Sequence, residues 1–120
     1  MQTEAFLIAK QLNTERNQRA VLRILKGVSN FITDEKIAEM MGQDPKKFER
    51  TVRLIIRDLR RQGHPIVSES GKGYRFPKSI AEVDATIADL HSRAADMRET
   101  AEAMKRGAYA LFAGQDKFPL

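Results

Sequence analysis

The chain has 120 residues, 42% hydrophobic and 31% charged, without a single cysteine; it fits one small domain with an appended element and excludes disulfides, thiolate chemistry and cysteine-ligated metal. Its formal charge of +5 is unevenly spread, because Thr14 to Lys78 holds fifteen basic and eight acidic residues whereas Ser79 to Arg106 holds four basic and six acidic. The middle of the chain is where an anionic partner is expected.

No apolar run approaches the roughly 20 residues of a membrane span, and Met1-Gln2-Thr3-Glu4 lacks the basic start of a signal peptide. A cytoplasmic, nucleoid-associated location and no membrane contact are expected. His64 and His91 stand 27 residues apart with no carboxylates at ligand spacing, so no metal site is expected. No nucleophile, base and orienting group share a motif, and neither an enzyme, a cofactor nor a small-molecule ligand is expected.

Residues 1–12 predict a short helical segment with Phe6, Ala9 and Leu12 on one side, too short to stand alone and expected to dock. Thr14 caps a helix that places Val21, Leu22, Leu25 and Val28 on one face. Thr33 caps a shorter helix, DEKIAEMM, whose Asp34 and Glu35 suit the positive end of its dipole and which Gly42 stops. Asp44 and Pro45 open a third helix, expected to reach about Gln62 before Gly63 and Pro65 end it. Ile66-Val67-Ser68 and Tyr74-Arg75-Phe76 flank a glycine-containing turn and read as a hairpin. Ser79 caps a long helix to about residue 107, and 108–120 are expected to fray.

From Asp34 to Val52, small Ala38 stands where two helices would cross, with Gly42 at the turn and Phe48 and Val52 seating the second helix. This is the spacing of a helix-turn-helix, which an ordinary helical hairpin could share. On the third helix Phe48, Val52, Ile55, Ile56 and Leu59 fall on one side, whereas Lys46, Arg50, Arg53, Arg57, Arg60 and Arg61 lie within about 60° of one opposite direction. Solvated helix faces usually mix their signs, and an unmixed basic stripe repels itself unless a polyanion neutralises it. Leu54 belongs to neither face and is expected to touch the hairpin or the N-terminal segment.

The run LRRQGHPIVSESGKGYRF, directly after a helix-turn-helix, closely resembles the winged-helix domains of the biotin-operon-repressor type, over roughly Gln18 to Pro77. Extended through KSIAEVDATIADLHSR, the chain looks like the small winged-helix proteins common in bacteriophages and prophages. The resemblance implies that Lys46, Lys47, Arg50 and Arg53 face the major groove of double-stranded DNA, and that Lys72 and Arg75 on the wing meet phosphate or the minor groove. Gln43 and Asp44 depart from the family's small aliphatic residue and Ser or Thr, although Asp caps equally well. The ligase of the namesake family has no counterpart after Pro77, so biotin is not implied. Gly71-Lys72-Gly73 lacks the spacing of a phosphate-binding loop.

From Ile80 the apolar positions Ile80, Val83, Ile87, Leu90, Ala94, Met97, Ala101 and Met104 alternate by three and four, the seam of a coiled coil. The alternative is a single helix lying along its own domain, to which Ala81, Ala85, Ala88 and Ala95 lend a wider apolar face. The expectation is a mainly α protein with a small β-hairpin wing (α+β): a helical segment at 1–12, a winged helix-turn-helix at 14–78 and a dimerising helix at 79–107. It would act as a phage-type regulator or a replication or packaging accessory by occupying duplex sites, as a homodimer with antiparallel C-terminal helices. The alternative is a non-catalytic adaptor whose winged helix binds protein and whose long helix builds an assembly.

Overall fold

The computed structural model describes residues 3–113. Four helices begin at short polar side chains that take up a first-turn backbone N–H. Thr3 Oγ1 accepts from Phe6 at the start of α1 (Glu4–Leu12), Thr14 Oγ1 from Asn17 at α2 (Glu15–Gly27), Thr33 Oγ1 from Lys36 at α3 (Asp34–Met40), and Asp44 Oδ1 from Lys46 at α4 (Pro45–Arg61). Gly42 at φ 74° makes the tight turn between α3 and α4, a conformation that any Cβ would strain.

α4 is the hub: α1, α2 and α3 all pack against it. Val21 and Leu25 of α2, Ile37 and Ala38 of α3, and Phe48, Val52, Ile55, Ile56 and Leu59 of α4 are buried in one cluster, the faces that the helical periodicity selects. Ala38 is fully buried, so its small side chain lets α3 approach its neighbours.

The hairpin pairs β1 (Val67–Glu69) with β2 (Gly73–Arg75), with Val67 opposite Arg75, Ser68 opposite Tyr74 and Glu69 opposite Gly73. Each strand is displaced by one residue toward the turn from its predicted place. Ile66 donates its N–H to the His64 carbonyl instead of the ladder, and Tyr74 exchanges both backbone bonds with Ile32, at 2.9 and 2.8 Å. The rung at Ile32 was not foreseen, because a lone residue between two helices carries no strand periodicity.

α5 spans Ile80–Leu111, four residues past the expected end. Gly107 costs a helix interior only about 1 kcal/mol and does not stop it. At its start Ser79 Oγ accepts from the Glu82 N–H at 3.3 Å, and the Glu82 carboxylate accepts from the Lys78 N–H at 2.6 Å. The chain divides into two compact units. The first closes at Thr86 and so includes the opening turns of α5; within it Thr86 is buried and its Oγ1 accepts from the Ser68 N–H at 3.3 Å. The second begins at Ile87, and within it Ile87, Leu90, Met97 and Met104 are exposed, from 41 to 71%. Of the expected frayed tail, residues 108–111 are helical and 114–120 lie outside the described residues. The fold is mainly α with a small antiparallel hairpin and a long C-terminal helix, compatible with a winged-helix shape. Among the described residues no helix is long and apolar enough to cross a membrane.

Candidate nucleic-acid interface

The buried side of α4 fixes where its basic side chains stand. With Phe48, Val52, Ile55, Ile56 and Leu59 in the core, Lys46, Lys47, Arg50, Arg53, Arg57 and Arg61 are exposed. Two of them touch carboxylates: Arg53 lies 3.6 Å from Asp34 and 3.9 Å from Glu49, and Arg57 Nε donates to Asp58 at 3.0 Å. Lys46, Lys47 and Arg61 have no ion-pair partner among the described residues, and Arg50 donates to Thr3 Oγ1 at 3.5 Å. Exposed pairs contribute about 0–1 kcal/mol, little enough for phosphate to displace. On the hairpin turn Lys72 is exposed beside Glu69, 3.5 Å away.

Two of the expected contact residues are engaged elsewhere. Arg60 is half-buried, donates from Nε to the Ile66 carbonyl at 2.8 Å and from its terminal nitrogen to Ser68 Oγ at 3.1 Å, and lies over the Tyr74 ring. It ties the hairpin to the end of α4. Arg75 has a side chain only 15% exposed, stacked on Phe31 and paired with Glu82. Lys72 stands in the turn before β2, whereas Arg75, at the end of β2, is held against Phe31 and Glu82. These two arginines brace the hairpin, whereas the exposed basic face comprises the other residues.

α1 runs beside α4 in the same direction, starting at Arg50, where Thr3 lies, and ending at Asp58, which accepts from Asn13 Nδ2 at 2.6 Å. Partial burial raises the pKa of Asp58, but the hydrogen bonds from Arg57 and Asn13 and the charges of Arg57 and Arg61 outweigh it and leave the carboxyl below its ordinary value. Leu54, at neither face of α4, is half-buried.

Sequence reasoning missed a cluster of acids beside this face. Asp34, Glu35 and Glu49 bring their carboxylate oxygens within 4.8 Å of one another, and Arg53 reaches two of the three. Asp34 and Glu35 come from the first turn of α3 and Glu49 from α4, so only the helix crossing unites them. No family of proteins, no curated protein and no solved structure was found to match this chain.

Proposed function

We propose that this protein binds duplex DNA without catalysis, as a winged-helix domain that seats α4 in the major groove of the DNA and rests Lys72 of the hairpin turn on its backbone. The observation that carries the reading is the outer face of α4, where Lys46, Lys47, Arg50, Arg53, Arg57 and Arg61 are exposed along one helix opposite its buried side. Such a run of cations matches a polyanion better than it matches water. The major groove admits one α-helix, and the first residues of that helix meet base edges.

The second part of the reading is a homodimer through α5. Its exposed seam offers Ile87, Leu90, Met97 and Met104 with small Ala94 and Ala101 between them, the composition of a helix-helix contact. A dimer would present two recognition helices to two half-sites, the way a phage-type regulator or a replication or packaging accessory occupies duplex sites.

The test is titration of a random-sequence duplex across a range of salt. Four to six phosphate contacts per chain give a log–log slope of about −4 to −5. A slope shallower than about −1 overturns the reading, and salt-insensitive association with an acidic protein, without DNA binding, establishes an adaptor in its place.

A further inference from the structure

α2 carries a second basic face. At 100° per residue Arg16, Arg19, Arg23 and Lys26 fall within about 80° of arc, on the side away from buried Val21 and Leu25. All four are exposed. They form a ladder of like charges at i, i+3 and i, i+4, an arrangement that destabilises a helix rather than supporting it. Arg16 also stands in the first turn, two residues past the Thr14 cap, where the helix dipole disfavours a cation. The acid of this helix, Glu15, pairs with Arg19 at 3.0 Å, and Arg16, Arg23 and Lys26 have no ion-pair partner among the described residues. The fold gains nothing evident from this face.

Its chemistry selects the partner. The four cations span about 15 Å along the helix, a length over which duplex DNA presents about nine phosphate charges. No large apolar side chain is interleaved on the face, so it has neither the anchor of a protein interface nor the insertion residues of a membrane-surface helix. α2 and α4 turn their buried sides to one core, and each basic face lies on the side of its own helix away from that core. Duplex DNA is stiff over about 50 nm, so a segment lying straight along α4 does not wrap round the core to follow α2 as well.

We propose that α2 is a second, sequence-independent site for duplex DNA, so that one domain holds two duplex segments at once. The proposal rests on the reading that α4 holds the first. It is tested by saturating the full chain with a short dye-labelled duplex at low salt and counting duplexes bound per chain by sedimentation. The duplex is kept to the length of a single half-site, so that a dimer using α4 alone takes one per chain, as a monomer does. The wild type is expected to take two. The triple variant Arg16→Glu, Arg19→Glu, Arg23→Glu is expected to take one, with the first duplex bound as in the wild type and the second weakened at least tenfold. The neutral triple Arg16→Gln, Arg19→Gln, Arg23→Gln, matched to the wild type by thermal melting, is expected to lose the second duplex too if charge reversal harms folding. Saturation of the wild type at one duplex, or two duplexes on either variant, overturns the second site and leaves the α4 reading standing. Failure to bind any duplex overturns both.

Discussion

The Arg75 guanidinium lies over the Phe31 ring, 4.1 Å from its centroid, and joins the strand β2 to the residue that precedes the Ile32 rung. Its other partner is Glu82, in the first turn of α5. A cation on an aromatic face and in a charged hydrogen bond, largely shielded from water, stabilises the folded state. Arg75→Ala is expected to cost about 1–3 kcal/mol in urea unfolding while leaving the affinity of the folded protein for duplex within about twofold. A large affinity loss at unchanged stability would return Arg75 to the DNA surface.

The same contact carries a pH dependence. The Lys78 N–H, first, and then the Arg75 guanidinium hold the Glu82 carboxyl below its ordinary value of 4.5. A carboxyl that is more acidic in the folded protein than in the unfolded chain stabilises the fold above its unfolded pKa. That stability is lost as the pH falls from about 4.5 through the lowered folded value. Glu82→Gln should flatten this acid limb of the stability curve; unfolding as steep in the variant as in the wild type would contradict it.

Gly73 has no room for a side chain. A Cβ there would stand 2.2 Å from the Ile32 carbonyl oxygen, and its φ of 106° is one that L-residues rarely adopt. Relief requires breaking the Ile32–Tyr74 pairing, so Gly73→Ala is expected to destabilise by about 3 kcal/mol or more in thermal or urea melts. Gly71→Ala, also at positive φ but with open space around its Cβ, should cost less. Equal losses at the two glycines would show that crowding at Ile32 is not the cause.

Along α4 the basic residues are expected to separate by role. Arg50→Ala should relax sequence preference at one base pair by about 1–3 kcal/mol, and Arg61→Ala, near the far end, should weaken all sequences alike. Arg60→Ala should lower stability instead, because its guanidinium is bound to Ile66 and Ser68. Competition binding with specific and random duplexes, together with melting curves, distinguishes the three. Identical losses of affinity on both duplexes for Arg50 and Arg61 would exclude direct readout.

In an antiparallel pair of α5 helices each small seam residue meets a large one: Ala94 faces Met97, Leu90 faces Ala101 and Ile87 faces Met104. The extension of α5 to Leu111 continues this register, since Leu111 falls opposite exposed Ile80. A parallel pair would stack alanines in thin layers and set Arg93 against Arg98. Packing outweighs the flanking charges, which contribute only about 0.2–1 kcal/mol for each exposed pair such as Asp84 with Lys105. In this cysteine-free chain, Asp84→Cys combined with Lys105→Cys should form intermolecular disulfides efficiently and either substitution alone poorly. Efficient crosslinking of Asp84→Cys to itself would show a parallel pair, and a monomer at tens of micromolar would remove the dimer.

The helices, their caps and the buried face of α4 were legible in the sequence, because they follow from side-chain chemistry at one and three or four residues' distance. Thr14, Thr33 and Asp44 cap where the reading placed them, and Phe48, Val52, Ile55, Ile56 and Leu59 are buried together. Local spacing also placed the exposed cations of α4. It could not tell that Arg60 and Arg75 turn to the hairpin, because their partners Ile66, Ser68, Phe31 and Glu82 are set by how strand, helix and loop pack. A basic residue looks the same in sequence whether it faces a phosphate or a buried carbonyl. The Ile32 rung and the gathering of Asp34 with Glu49 likewise needed the tertiary structure, since each joins residues whose separation along the chain carries no periodic signal.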